Sequence, residues 1–382
     1  MKVKIETLTP VHIGSGNFLH YNTEFFPVTV TEKSSGKKYR CVRIIDERKI
    51  LDLIGPKHLQ DWLLSIERGQ NIMEFMKVFA PDAKTSDYSR RRVFLYGEVK
   101  EKDTLKECIH NGMGLPYIPG SSIKGALRTA ITAILAHKKD DLEDIAKVYY
   151  IKDGEEEYKY DGYCVENSFY GSDPNHDIFR FLRCGDAYFP VEKEIVFRLQ
   201  MYLNITKDKS LVPKIEHSKP QLIEALGEGA QSEFQLHLDT DHYDGIITLQ
   251  PNAVGELPDE MKSVEKLFAA VNKHTLDLVC QEIDFWSDID KTGADCYVEQ
   301  MENMAESIRD EIKKGNKSCI LRIGHAIGWD FITGGWARDF EDFELVKDQA
   351  RYKNYNYRDY VFPKSRRLDT DGEMIGFVKL SL

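Results

Sequence analysis

Few of the features that announce a chemistry are present in this sequence. Its seven cysteines, Cys41, Cys108, Cys164, Cys184, Cys280, Cys296 and Cys319, include no CxxC pair. That excludes a zinc ribbon or finger and points to reduced thiols in a cytoplasmic protein. Nowhere do 18 apolar residues run together, so no membrane-spanning helix and no membrane partner are expected. Residues Met1 to Gly16 lack the apolar core of a signal peptide. Positive charge is also short: 52 Lys and Arg stand against 63 Asp and Glu, a net charge of −11. A free-standing nucleic-acid binder is normally basic, so the total argues against one.

Catalytic and cofactor signatures are equally thin. Gly14-Ser15-Gly16 starts like a dinucleotide loop, but Leu19 stands where the third glycine belongs and a strand-like run follows. The string Gly120 to Arg128 (GSSIKGALR) is not a Walker A loop, because Lys124 precedes Gly125 and no Gly-Lys-Ser/Thr occurs. His237, Asp239, Asp241, His242 and Asp244 fail as a calcium loop, with Tyr243 at the fifth position and Asp244 in place of glycine. His176-Asp177 lacks further ligands, and no Ser/His/Asp or Cys/His arrangement can be assigned. No cofactor and no metal are expected.

What is there is ample material for packed cores. Of 382 residues, 42% are hydrophobic and 11% aromatic, enough for about two domains. Alternation predicts a strand at Lys2 to Leu8 and another at Thr23 to Thr31, separated by the glycine-bearing turn. Asp46 to Ala80 reads as helix broken at Gly55-Pro56, with Leu59, Leu63 and Ile66 on one face. A helix starting near Ser121 or Ser122 carries the stripe Ile123, Leu127, Ala130, Ile131 and Ile134. Asp140 to Glu157, eight acids and two cations, is expected as a surface insertion or flexible loop. Phe179 to Val191, Ile195 to Ile205, Ser232 to Leu238, Ile320 to Gly324 and Gly376 to Leu380 read as strands, and Pro220 to Leu226 as a short helix. Two long amphipathic helices are expected, near Asp259 to Ile283 and from Tyr297 to Lys314 with Gly315 as its stop. Strand, helical insertion and strand, repeated once, imply an α+β chain of two packed modules, 1–190 and 191–382.

Three features carry a binding chemistry. Gly14 to Gly16, beside His12, is either a hairpin bulge or a backbone concavity for a phosphate. Gly120, Ser121 and Ser122 place free N–H groups at a helix start, which suits an anion, while Lys124 and Arg128 project from one face; an ordinary N-cap with two solvated cations fits the same pattern. Arg351 to Arg367 holds six cations against one anion, a balance of +5, interleaved with Tyr352, Tyr355, Tyr357 and Tyr360. Cations for phosphates and aromatic faces for bases are the ingredients of a single-strand site. Arg90-Arg91-Arg92 is a second basic cluster, expected on a loop.

Three motifs in order, Leu8 to Gly16 (LTPVHIGSG), Tyr117 to Ala130 (YIPGSSIKGALRTA) and the C-terminal Leu321 to Trp329 (LRIGHAIGW) with Phe362 to Leu368 (FPKSRRL), resemble the RAMP superfamily of CRISPR-associated proteins. Within it they are similar to the fifth Csm subunit of type III-A effector complexes. The resemblance implies two tandem ferredoxin-like, RRM-related modules with helical insertions. It also implies a non-catalytic subunit, a part of a ribonucleoprotein for antiviral defence, that caps the end of the complex holding the crRNA 3′ region and supports crRNA maturation. The partners implied are crRNA, target RNA, a neighbouring RAMP backbone subunit, other Csm subunits and host nucleases that trim crRNA. Carried over by position, His12, Gly14, Ser15, Gly16, Ser121, Ser122, Lys124 and Arg128 become RNA contacts, joined by Lys364, Arg366 and Arg367. The C-terminal loop Gly324 to Gly335 departs from the family pattern, since His325 is its only candidate cation and Ala326 and Ile327 interrupt the glycines. Two alternatives stay open: a metal-independent endoribonuclease acting on the CRISPR transcript through His12, and a protein-interaction scaffold of the same complex.

Overall fold

The computed structural model describes residues 1–32, 35–204, 220–250, 254–287, 294–332, 334–350, 362–363 and 365–382, and only the backbone of 201–204. The fold is α+β, built on two sheets that share the N-terminal segment. Strand Lys2–Thr7, with Val3 and Ile5 fully buried, lies at the centre of a five-stranded antiparallel sheet. Gln231–Leu238 flanks it on one side and Phe377–Ser381 on the other, with Leu182–Cys184 and Ser318–Arg322 outermost. The two chain ends therefore meet in neighbouring strands. Helices Gly120–Ala136 and Val264–Ser287 cover this sheet and share its core, which includes Ile123, Leu127, Ile131, Leu267, Phe268 and Val271. Helix Asp295–Lys313 packs beside them through Met301, Met304 and Ile308.

The second sheet has eight strands. Its order runs from the edge strand Gly14–His20 through Thr104–Cys108, Gln221–Leu226, Glu194–Asn204, Ser89–Leu95 and Lys38–Ile45 to Phe25–Thr31. Ser365–Asp369 pairs with the far end of Glu194–Asn204. Three helices, Glu47–Ile54, Leu59–Glu67 and Ile72–Phe79, pack at one end over Phe26, Ile45 and Tyr88. Both sheets draw strands from both halves of the chain, so a boundary at 190 divides the sequence without dividing the sheets.

Several expectations are corrected by packing. Gln221–Leu226 is a strand and not a helix: it pairs on both edges, with Glu194–Asn204 and Thr104–Cys108, and Leu222 to Leu226 are all buried. Such a strand loses its alternation and reads as a continuous run. Phe179 is not in a strand either; Ile178–Phe181 is a short 3-10 turn before Leu182–Cys184. The acidic stretch is ordered, as helix Leu142–Ala146 followed by the hairpin Lys147–Lys152 and Glu155–Tyr160. Leu59, Leu63 and Ile66 stay exposed, and Trp62 and Ser65 are the residues that helix buries. Arg90, Arg91 and Arg92 lie in strand Ser89–Leu95 rather than on a loop.

Gly120 is required by a close approach: a Cβ there would come 2.1 Å from the Cys184 carbonyl oxygen. Gly125, five residues on, has open space around it. Gly120→Ala should cost about 1–3 kcal/mol by overpacking, whereas Gly125→Ala should add about 0.5–1 kcal/mol through helix propensity. Urea unfolding of the two variants checks the pair, and a Gly120→Ala protein as stable as the parent would refute the packing.

Candidate nucleic-acid interface

The residues between the sheets form the ground of the site. Val11 exchanges both backbone hydrogen bonds with Leu226, at 2.9 and 2.8 Å, and the Gly376 N–H donates to the Pro10 carbonyl at 2.9 Å. This fixes His12 at the end of the eight-stranded sheet. Gly14 then opens the edge strand, and the pairing with Thr104–Cys108 slips between Gly14 and Phe18. Gly16 takes φ +93°, where glycine is favoured. The slip aims Ser15 and Asn17 at Glu107: Ser15 Oγ and Asn17 Nδ2 donate to its carboxylate at 3.2 and 3.1 Å.

His12 is buried, with 1% of its surface exposed. Its Nδ1 donates to the Glu224 carbonyl and lies 3.5 Å from the Cys108 sulfur. That bond places the ring proton on Nδ1 and leaves Nε2 as a bare acceptor, without a hydrogen-bond partner among the described residues. The C-terminal glycine loop closes on it from the other side. The His325 N–H donates to the His12 carbonyl at 2.9 Å, and Gly324, at φ +98°, permits the approach, since a Cβ there would stand 2.6 Å from that oxygen. The two imidazoles meet edge to face with centroids 5.6 Å apart. Lys106 Nζ lies 3.2 Å from His325 Nδ1, and His325 Nε2 lies 3.3 Å from Gln221 Oε1. The positive charge of Arg367 opposes protonation of both Lys106 and His325. Burial, then the neighbouring positive groups, lowers both histidines to about 4; at His12 the Glu224 carbonyl opposes this only in part. Burial and Arg367 lower Lys106 as well. Phe18, half exposed, lies 6.0 Å from the Lys106 ammonium.

Directly beneath lies an acidic cluster held by one guanidinium. Arg91 Nη2 donates to both oxygens of Glu224, at 2.7 and 2.8 Å, and to Glu107 at 3.2 Å, and its Nε lies 4.0 Å from Glu194. The Cys108 N–H donates to Glu224 at 2.9 Å. His110 Nε2 donates to Glu194 at 2.7 Å, while its Nδ1 faces the Cys108 carbonyl at 2.9 Å. Burial and Glu194 raise the Glu224 carboxyl above its ordinary value, against the pull of Arg91. At Glu107 burial is outweighed by Asn17, Arg91 and Arg90, and its pKa is lowered. Glu107, His110 and Glu224 lie close enough to share a metal ion, and Arg91 already stands there as the cation.

The second expected group lies on the other sheet's covering helix. The Gly120 N–H donates to Asp186 at 2.8 Å, so a carboxylate already sits at the helix start. Ser121 is exposed; Ser122 and Lys124 are half buried. Lys124 and Arg128 line one cleft of about 410 Å³ with Tyr163, Asp177 and Arg180. Arg128 is tied down: Nε donates to Glu166 and Nη1 to Asp177, each at 2.8 Å, and the guanidinium lies 4.2 Å from the centre of the Tyr170 ring.

The C-terminal arginines part company. In strand Ser365–Asp369 side chains alternate, so Arg366 and Leu368 turn inward and Arg367 does not. Arg366 is ion-paired with Glu282, which also accepts from Tyr297 at 2.7 Å, and it packs 5.1 Å from the Trp286 ring. The Arg366 guanidinium, expected at an RNA contact, is buried and engaged by Glu282. Residues 351–361 and Lys364 lie outside the described residues, and with them the four tyrosines. Lys106 and His325 were not foreseen as members of the site. They stand 219 positions apart, and only the glycines around His325 gave a signal.

Comparison with known proteins agrees with this architecture. The RAMP superfamily profile matches residues 4–329. The chain belongs to the RAMP superfamily. A curated relative, the CRISPR system Cms protein Csm5 of Streptococcus thermophilus, is 29% identical over 143 residues, which is 34% of this RAMP chain and 37% of the relative. The aligned part thus spans little more than a third of that protein. Two solved structures share the RAMP fold over nearly the whole chain. One, from a Csm–crRNA–target RNA ternary complex of a type III-A CRISPR-Cas system, has a TM-score of 0.70 at 20% identity and full coverage of both chains. The other, T. onnurineus Csm5, has a TM-score of 0.58 at 19% identity, covering 98% of this chain and 99% of that one. Among the described residues no helix is long and apolar enough to cross a membrane.

Arg366→Ala leaves the buried Glu282 without its ion-pair partner and should cost about 3–5 kcal/mol. Urea unfolding reads the loss. A stability unchanged within about 1 kcal/mol would show that the pair is not the buried lock described.

Proposed function

We propose that this RAMP protein is a Csm5-like subunit of a type III-A CRISPR ribonucleoprotein that binds RNA without cutting it. In this reading it works in the cytoplasm, holds crRNA near its 3′ region at one end of the complex, lies close to target RNA and to a RAMP backbone subunit, and supports crRNA maturation and antiviral defence. The observation that carries the reading is the meeting of the two glycine-bearing loops, His12 to Gly16 and Gly324 to Gly328, around His12, Lys106 and His325. Backbone freed of side chains at Gly14 and Gly16 allows a strand of RNA to come close, and Lys106 and Arg367 supply charge. Phe18, exposed beside Lys106, offers a face on which a base can stack. Ser15, Ser121, Ser122 and Lys124 remain proposed contacts, whereas Arg128 is held by Glu166 and Asp177. The fold shared with a chain of a Csm–crRNA–target RNA complex supports this reading.

One observation favours a second reading, in which the protein cleaves RNA through His12. A second histidine, His325, stands against the first. A cleaving pair needs one ring as base and one as protonated acid, and both rings here are lowered to about 4 and neutral at pH 7. We therefore place it second. RNA incubated with the protein in EDTA should stay intact.

Binding measured against salt tests the main reading. Each neutralised phosphate of a single strand contributes a slope of about −0.7 in log K against log salt. Lys106→Gln with Arg367→Gln should flatten that slope by about 1 to 1.5. A slope near zero, for the chain alone and in its assembled complex, would end the proposal.

A further inference from the structure

Strand alternation sorts the neighbours Arg91 and Arg92 onto opposite faces of the eight-stranded sheet. Arg91 turns to the face where Glu107, Glu194 and Glu224 hold it. Arg92 turns to the other, where it stands directly opposite Arg43 of strand Lys38–Ile45. Like charges opposite one another across a sheet repel. Neither guanidinium has a hydrogen-bond or ion-pair partner among the described residues, and the Arg43 Nε is buried without one. Burial and Arg92 lower the pKa of Arg43. Asp87, whose charge reaches Arg43, has its carboxylate engaged by the Lys84 N–H and the Ser86 hydroxyl.

Beside these cations the same face carries open aromatic rings. Phe94 and Tyr96, two residues apart, are 38% and 56% exposed. Tyr39 stacks on Phe94 with centroids 5.8 Å apart and planes 11° from parallel, and the Phe94 and Tyr96 centroids are 4.8 Å apart. The Arg92 guanidinium lies 5.8 Å from the centre of the Tyr39 ring. The register carries this group toward the seam of the two glycine loops. Lys106 pairs with Ile223, and Ile223 with Phe197. Two residues before Phe197, Ile195 pairs with Phe94, so Tyr96 falls on the row of Lys106. Leu105, Leu222, Val196 and Leu95 all turn into the core on the opposite face, which leaves Lys106 and Tyr96 on one side. Three strand spacings separate the two, about 14 Å. That is the span of about four stacked nucleotides.

We propose that Tyr39, Phe94 and Tyr96, with Arg43 and Arg92, form a stacking platform for single-stranded RNA. This rests on the RNA-binding reading and adds a second contact surface to it, on the sheet face that also carries Lys106. Open ring faces take bases whatever their sequence, and guanidiniums take the phosphates between them. A phosphate at the exposed Arg92 offsets the repulsion between the two arginines. An apolar protein surface laid over the same rings would cover both guanidiniums and bring no counter-charge, at a cost in desolvation. An RNA strand brings one negative charge with every nucleotide. The rings and the cations are thus matched by one occupant.

The test uses the full chain, alone and in its assembled complex, with a labelled oligouridylate. Replacing Phe94→Leu and Tyr96→Leu together keeps apolar bulk and removes the ring faces. Affinity should fall by about fivefold to 150-fold for each stacked base lost, with the dependence on salt unchanged. Arg92→Gln should instead flatten the log–log salt slope by about 0.7. Photocrosslinking of thiouridine in the same oligomer to the unaltered protein should mark the peptide that holds Phe94 and Tyr96, and this decides the matter where a variant fails to fold. Salt-sensitive binding with parental affinity in the leucine variant, or a crosslink map that omits this peptide, overturns the platform and leaves the RNA-binding reading standing. A leucine variant that binds RNA as its parent does but no longer enters the complex assigns the face to a protein partner and overturns the platform too. Binding absent at every salt concentration, alone and assembled, overturns both.

Discussion

Arg91 is the interaction on which the interface depends. Its guanidinium reaches Glu224, Glu107 and Glu194, which sit on three different strands, and so ties four strands of the eight-stranded sheet at one point. Burial works against its charge, yet Glu224, Glu194 and Glu107 hold it above the ordinary arginine value. A buried ion cluster adds little net stability compared with a packed apolar core, and breaking one costs much more. Its value here is positional. Through Glu107 it orders Ser15 and Asn17; through Glu224 it fixes the Cys108 backbone and the carbonyl that holds His12. An apolar residue at 91 could fill the space but not aim these groups.

The meeting of the chain ends is a second constraint. With Lys2–Thr7 between Gln231–Leu238 and Phe377–Ser381, the segment after the first strand must leave beside the segment before the last. His12 and His325 approach because both loops exit this sheet together, joined by the bond from the His325 N–H to the His12 carbonyl. Glycine at 324 is needed for that contact, while Ala326, at φ +65°, accepts the left-handed region without being glycine. A loop that departs from the family's glycine pattern thus still closes the site.

Some of this was legible in the sequence. The alternation at Lys2–Thr7 and the apolar stripe from Ile123 to Ile134 state one buried face each, and both formed as read. Gln221–Leu226 was misread because a strand paired on both edges and buried on both faces carries no period. Ser89–Leu95 and Thr104–Cys108 were missed for the opposite reason: Arg91 and Glu107 look like surface charge until each is seen to satisfy the other. Glycines near His12 and His325 signalled backbone approach, and no spacing could join His12 to Lys106 or His325. Neighbouring Arg366 and Arg367 read as one basic patch, and strand alternation sends them to different surroundings.

The negative total of the chain is compatible with RNA binding because a phosphate does not meet a total. Glu107, Glu194 and Glu224 are folded onto Arg91 and Glu282 onto Arg366, so these four acids and two cations are withdrawn from the surface. Exposed charges farther than about 8 Å are largely screened at physiological salt. Among the described residues Lys106 brings a positive charge to the seam of the two loops, with two histidines held neutral beside it. The chain's −11 balance acts against stray nucleic acid, which would have to approach the whole molecule.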